Sequence, residues 1–158
     1  MAAEEPNFPL KEPDKRILRV LQKEGRITNH ALAARVGMSP SACHERTRRL
    51  HESGIITGYS ANVDPAAVGL PLLVFIEVML ERTTGDVFRE FAAAVRLHPE
   101  VLECHMVAGG FDYLLKLRLP DMRSHRDILE RLAAMPGVRG TRSYPVIEEI
   151  KSETALPL

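Results

Sequence analysis

Apolar residues recur at helical spacing along the first third of the chain, and beyond residue 70 they mostly run as strands broken by two more helical stretches. The first ten residues, with Pro6 and Pro9, have no period and read as a flexible arm. Pro13 opens a helix that carries Ile17, Leu18 and Leu21 on one face and ends at Gly25. Thr28 suits the N-cap of a second, short helix bearing Leu32, Ala33 and Val36 and stopped by Gly37. Ser39-Pro40 is a cap followed by proline at the first helical position, so a third helix is expected from there to about Ser53, with Gly54 as its exit. Residues 55–63 alternate loosely and read as a strand or β-ribbon. Asp64-Pro65, Gly69 and Pro71 mark a linker.

The second half predicts a strand over 70–80, a helix over 86–97 with Phe88, Phe91 and Val95 inward, and a strand over 101–108. Gly109-Gly110 turns the chain into a strand over 112–119, where Tyr113, Leu115, Leu117 and Leu119 share one face. Asp121 caps a helix containing Ile128, Leu129, Leu132 and Met135, and residues 138–150 form the last strand. The order β-α-β-β-α-β is the split βαβ arrangement. Residues 98–104 and 135–141 echo each other: each has a helix end, a proline, one residue, a valine and a strand. Pro145 cannot donate to a ladder, and it is tolerable because the last strand of this arrangement is an edge. The first strand is apolar on both faces, with Glu77 the one interruption from Leu72 to Leu80. Two helices cover one sheet face, so a second subunit is the economical cover for the other.

Composition narrows the class. The 158 residues are 45% hydrophobic and 27% charged, the balance of a globular chain. The apolar run at 70–76 is too short to cross a bilayer. The N-terminus lacks a basic region followed by an apolar one, so no secretory signal is expected. Cys43 and Cys104 are too few for a disulfide framework or a four-cysteine zinc site, which suggests reduced thiols and a cytoplasmic location. Cys43-His44 and Cys104-His105 are adjacent pairs, poorly placed to chelate one ion. No nucleophile, base and orienter can be assembled, so no enzymatic activity is expected.

The net charge of zero hides an asymmetry. Residues 1–62 hold 10 Lys/Arg against 7 Asp/Glu, and residues 63–158 hold 11 against 14. Arginines 26, 35, 46, 48 and 49 fall within 26–51 beside a single acid, Glu45. Such a block suits either a polyanion partner or a solvated helix face. Residues 29–48 fit a helix-turn-helix, with Ala33 at the helix contact and Gly37 in the turn; a plain three-helix bundle is the alternative. At 100° per residue on the third helix, Cys43, Thr47 and Leu50 point inward. Ser41, Glu45, Arg48, Arg49 and Glu52 face outward, and Arg46 lies at the flank. Arginine can pair bidentately with guanine or hold phosphate, and Ser41 is placed for phosphate or base edges.

The segments Gly25-Arg26-Ile27-Thr28-Asn29, Arg35-Val36-Gly37-Met38-Ser39-Pro40, Cys43-xx-Arg46-x-Arg48-Arg49-Leu50 and Gly54-Ile55-Ile56-x-Gly58-Tyr59 resemble the leucine-responsive/asparagine-type (Lrp/AsnC) family of bacterial transcription regulators. The likeness continues through Leu73-Val74-Phe75-Ile76-Glu77, Glu103-Cys104-His105, Gly109-x-Phe111-Asp112-Tyr113-Leu114-Leu115, Pro120-Asp121-Met122, Pro136-Gly137-Val138 and Thr141-Arg142-Ser143-Tyr144, covering roughly residues 12 to 152. The chain departs from the family's common pattern at Ala42, His44 and Thr47, where Pro, Leu and Val are usual. Thr47 is expected to bond back to the carbonyl four residues before it. The effector loop, usually Gly-Asp-x-Asp, reads Gly109-Gly110-Phe111-Asp112 and lacks one carboxylate.

The resemblance implies an α+β protein: a winged helix-turn-helix over 11–63 after an arm over 1–10, then a ferredoxin-like effector-binding and oligomerisation domain over 64–158. It implies a regulator of amino-acid metabolism that binds double-stranded DNA through Ser39, Ser41, Glu45, Arg46, Arg48 and Arg49. The homodimer is expected to assemble further, to an octamer. No cofactor is expected beyond an amino-acid effector, held at Met106, Gly109, Gly110, Asp112, Met122, Tyr144, Pro145 and Val146. There Asp112 would accept from the ammonium, and the Gly109-Gly110 amides would cradle the carboxylate. Methionines 106 and 122 read by themselves as core filler, and Gly109-Gly110 as a hairpin turn capped by Asp112. The competing function is an amino-acid-sensing regulatory subunit of a metabolic enzyme that does not bind DNA.

Overall fold

A computed structural model of the chain describes residues 9–82 and 84–158; the expected arm, apart from Pro9 and Leu10, lies outside them. The chain divides into two compact units, residues 1–62 together with 151–158, and residues 63–150.

The first unit is built on α1 (Glu12–Leu21), α2 (Asn29–Val36) and α3 (Pro40–Glu52). Each helix starts where the sequence supplies an acceptor for its orphan amides. Asp14 Oδ2 accepts the Lys11 N–H at 3.0 Å, Thr28 Oγ1 accepts from Ala31 N at 3.3 Å, and Ser39 Oγ accepts from Ala42 N at 3.3 Å. Gly37 ends α2 at φ 70°, a left-handed conformation that a side chain would strain, and so makes the turn between α2 and α3. Ile17, Leu18, Leu21, Leu32, Ala33, Val36, Cys43 and Leu50 form the core.

The strand expected over 55–63 does not form: among the described residues the first unit contains no strand, so this stretch has no ladder partner. Side chains hold it instead. Ile55 and Ile56 pack on the helical core, and Ile56 N donates to Leu50 O at 3.0 Å. Tyr59 lies over Gly25, where an added Cβ would come within 3.2 Å of the ring. The last residues of the chain pack against this unit too. The Gln22 amide pairs both ways with the Leu156 backbone: Nε2 donates to Leu156 O at 3.2 Å, and Leu156 N donates to Oε1 at 2.5 Å. Arg19 Nε donates to Leu158 O at 2.6 Å, and the Leu158 side chain packs on the helical core. A single division at residue 63 therefore does not separate the two units.

The second unit runs β1 (Leu72–Leu80), α4 (Gly85–Val95), β2 (Val101–Met106), β3 (Tyr113–Leu119), α5 (Met122–Ala133) and β4 (Val138–Pro145). The sheet is antiparallel in the order β2-β3-β1-β4, the ferredoxin-like arrangement expected from the element order. Val74, Ile76, Val78 and Leu80 of β1 share a buried core with Tyr113, Leu115, Leu117 and Leu119 of β3, and with Phe91, Val95, Ile128 and Leu132 from the two helices. Gly137, at φ 75°, lets the chain pass α4, where a Cβ would sit 2.5 Å from Val87 Cγ1. The last strand is shorter than the expected 138–150. It stops at Pro145, which lacks an N–H, and only Val146 N reaches back to the β1 backbone, at Leu73 O, 2.9 Å.

The opposite sheet face carries Leu73, Phe75, Glu77 and Met79 of β1, Leu114, Lys116 and Arg118 of β3, and Arg142 and Tyr144 of β4; of these Leu73 is buried and the rest are not. Neither helix of the unit packs on it. Ion pairs Lys116–Glu103 (2.8 Å) and Arg142–Glu77 (3.6 Å) cross it between strands, leaving Phe75, Met79 and Leu114 as apolar ground between charged pairs.

Candidate functional site

The outward face of α3 is set by its two buried anchors. Cys43 and Leu50 are fully buried, so Ser41, Glu45, Arg48, Arg49 and Glu52 project to solvent as the helical period requires. Ser39 stands exposed at the N-terminus, with its hydroxyl 3.3 Å from that of Ser41. Thr47 Oγ1 donates to Cys43 O at 2.9 Å, the expected back-bond, which spares the helix interior an unpaired hydroxyl.

Arg46 behaves differently from its neighbours. Its Nη1 lies 2.9 Å from Oδ1 of Asp14, a carboxylate that is only 1% exposed. Arg46, which the resemblance places among the DNA contacts, uses its guanidinium in the folded unit to tie α3 to α1. Arg48 is engaged on its own helix. Its Nε and Nη2 donate to the two oxygens of Glu45 at 3.1 and 2.8 Å, and its Nη1 donates to Glu52 Oε1. The hydrogen bonds from Arg48 hold the Glu45 carboxyl below its usual range, and Glu45 in turn raises Arg48. Glu52 and Asp14 were not expected to matter. The spacing Glu45-Arg48-Glu52, three and then four residues, could have revealed the first; nothing local marks Asp14 as the partner of Arg46.

The eight residues expected to hold an effector fall into two groups within the second unit. Met106, Gly109, Gly110 and Asp112 lie at the turn between β2 and β3. Asp112 N donates to Val78 O at 3.0 Å, and Asp112 Oδ2 accepts from Leu80 N at 2.7 Å, so the carboxylate fastens the end of β1. Its other oxygen makes no hydrogen bond among the described residues. Neither Gly109 nor Gly110 has a positive φ, and a Cβ at either would meet nothing within 4 Å. Glycine there is needed neither for the backbone conformation nor for room within one copy of the chain, which removes conformational freedom as the reason for a carboxylate cradle.

Met122 lies past the far end of β3, while Tyr144, Pro145 and Val146 lie along the edge strand and just after it, Tyr144 level with Phe75 and so with Lys116, the middle of β3. Met122 opens α5 after Leu119, and Pro145 is level with Val74, whose β3 partner is Leu117. The length of β3, about 20 Å for its seven residues, separates Met122 from the turn, and Tyr144 stands about half that far along the strand direction, on the other side of β1. Within one copy, these residues therefore do not form a single pocket. Met106, Met122 and Tyr144 are all exposed, so neither methionine is core filler.

Burial raises the thiol pKa of both Cys43 and Cys104, which keeps them in the less nucleophilic form. Among the described residues no group of three His, Cys, Asp or Glu side chains is arranged to hold a metal.

Known proteins resemble the chain over nearly its whole length. A family model for winged helix-turn-helix DNA-binding matches residues 10–57, and one for the Lrp/AsnC ligand binding domain matches residues 73–156. The leucine-responsive regulatory proteins of Salmonella typhimurium and Escherichia coli K12 are each 49% identical over 152 residues, 96% of this chain and 93% of theirs. A transcriptional regulator from Neisseria meningitidis, solved as a complex with L-Met, superposes with a TM-score of 0.90 at 41% identity, covering 94% of this chain and 97% of that one. A feast or famine regulatory protein of M. tuberculosis, complexed with L-methionine, gives 0.84 at 34% identity, covering 92% and 97%.

Proposed function

The chain belongs to the Lrp/AsnC family, and from that premise we propose how this DNA-binding transcriptional regulator uses its two units. The helix-turn-helix meets duplex DNA with α3 in the major groove. The observation that carries this reading is the outward row Ser41, Glu45, Arg48 and Arg49 on a helix locked by buried Cys43 and Leu50. Nothing favours the alternative of an enzyme's regulatory subunit, which would leave this row without a purpose.

The second unit senses an amino acid. The turn between β2 and β3 offers the Asp112 carboxylate as acceptor for an ammonium, and the far end of β3 and the edge strand offer the exposed Met122 and Tyr144. Because about 20 Å separates Asp112 from Met122 in one copy, a ligand that touches both is held between two copies. The half-apolar sheet face around Phe75, Met79 and Leu114 gives the chain a reason to pair. The relatives solved with methionine support an apolar amino acid as the ligand. Binding would then alter how copies are arranged, and with it the spacing of paired α3 helices on DNA.

Calorimetric titration of the full chain with the twenty amino acids, repeated with duplex DNA present, tests the whole reading. An apolar amino acid should bind, and by reciprocity it should change DNA affinity by the same factor as DNA changes its own. Duplex binding that no amino acid alters would overturn the sensing role, and absence of duplex binding would overturn the first.

A further inference from the structure

The outward face of α3 is not simply basic. Arg48, the arginine best placed at the centre of that face, is held by two carboxylates of its own helix. Glu45 grips it bidentately at 3.1 and 2.8 Å, and Glu52 takes Nη1 one turn further on. All three side chains are about half exposed, so the ladder lies on the surface that would enter a groove. We propose that Glu45 and Glu52 are specificity-determining residues: they restrain Arg48 from phosphates and release it to a guanine edge in a C·G-containing site. This inference rests on the DNA-binding reading above.

The argument is one of charge and valence. A guanidinium has five N–H donors in a fixed fork, and three of them are occupied here. The fork that clasps a carboxylate is the one that would clasp a phosphate or the O6 and N7 acceptors of guanine. These two targets differ in what they do to the carboxylates left behind. One arginine with two glutamates carries a net charge of −1, so turning Arg48 to a phosphate leaves two anions beside a third. A guanine edge is neutral and repels neither. Cytosine presents an N4 amino donor, which Glu45 can accept at the moment it gives up Arg48. The ladder thus exchanges hydrogen bonds at little loss on a C·G pair and resists the sequence-independent grip on the backbone. Arg49 and His44 lie beside Glu45 on the same helix and hold it ionised, so they offset part of this repulsion without replacing the hydrogen bonds that Arg48 gives up.

The restraint is light. Exposed pairs at these spacings are individually weak, so the right base can break them. Its effect is read in the difference between targets, because most of the genome a regulator meets is the wrong sequence.

The test compares the wild-type chain with Glu45→Gln/Glu52→Gln, on a mixed-sequence 30-base-pair duplex and on duplexes enriched by the wild type from a random pool. Gln keeps the length and surface polarity of Glu, and circular dichroism checks that the helices persist. The double variant should bind the mixed-sequence duplex about tenfold more tightly at low salt. Its plot of log K against log salt should steepen by about one unit, as one more arginine becomes free to hold a phosphate. Its preference for the enriched duplexes, and for C·G pairs within them, should fall. Adding Arg48→Ala to the double variant should abolish the steepening. Steepening that persists without Arg48 would show that the carboxylates act by plain repulsion and would overturn the restraint. An unchanged slope and preference in the double variant, while the wild type still binds duplex, would overturn this proposal alone. A wild type that binds no duplex would overturn the DNA-binding reading beneath it.

Discussion

Arg46 Nη1 lies 2.9 Å from Asp14 Oδ1, and this ion pair joins the recognition helix to α1 through a carboxylate that water scarcely reaches. Asp14 also accepts the Lys11 amide at 3.0 Å, so one buried side chain fixes both the start of α1 and the lie of α3. The orientation of the outward row on α3 therefore depends on a residue 32 positions earlier in the chain.

Replacing Arg46 with Met should cost stability first. It leaves a buried carboxylate with one partner fewer, worth about 2 kcal/mol. Urea unfolding should record that loss, whereas the salt dependence of DNA binding by the folded variant should change by less than about half a unit. A full unit of slope lost with stability retained would make Arg46 a phosphate ligand.

Arg49 faces outward beside Arg48. Arg49→Ala should shallow the dependence of log K on log salt by about one unit, with equal losses on enriched and mixed-sequence duplexes. Fluorescence anisotropy across a salt series measures both.

Adjacent residues on β1 should give opposite phenotypes. Val74 is buried beneath the helices and Phe75 lies on the open face. Val74→Asp should fail to fold, whereas Phe75→Asp should keep its far-ultraviolet spectrum and sediment as a smaller species than the wild type. A Phe75→Asp chain with wild-type sedimentation would show that copies do not pair through this face.

Asp112 has two tasks that substitution can separate. Asn keeps an oxygen for the Leu80 N–H and loses the charge; Ala loses both. Asp112→Asn should therefore retain nearly the wild-type melting temperature and bind an amino acid at least tenfold more weakly by calorimetry, while Asp112→Ala should also melt lower. Wild-type ligand affinity in Asp112→Asn would remove Asp112 from the site.

Acid should weaken the open sheet face. Hydrogen bonds from Lys116, then from His105, hold the Glu103 carboxyl below the usual carboxylate range. A folded-state value below the unfolded one stabilises at neutral pH, and the contribution disappears as pH falls through the lowered value. Glu103→Gln should accordingly flatten the acid limb of a plot of urea midpoint against pH, most visibly near and below about pH 4.

The helices and most of the sheet were legible because local chemistry announces them. Thr28, Ser39 and Asp121 each cap the helix their position implies. The alternation from Tyr113 to Leu119 gives the buried face of β3. What could not be read depends on partners distant in sequence. Residues 55–63 have the residue types of a strand and lack a neighbour to pair with. The last strand was drawn too long because nothing in 146–150 signals that the edge ends at Pro145. The eight effector positions read as one site in sequence, whereas the topology sets Asp112 and Met122 at the two ends of β3 and Tyr144 on the edge strand between their levels, which a set of matching positions does not carry.

The Leu156 backbone clasped by Gln22 makes the first unit discontinuous in sequence: its chain leaves at Val63 and comes back at Lys151. While the stretch between residue 62 and β1 is intact, the returning end docks as an intramolecular event, at an effective concentration far above that of free protein. One proteolytic nick in that stretch would turn the same contact into a bimolecular one. The two fragments would then come apart on dilution and re-form on concentration, so the clasp holds only as long as the covalent ring it closes.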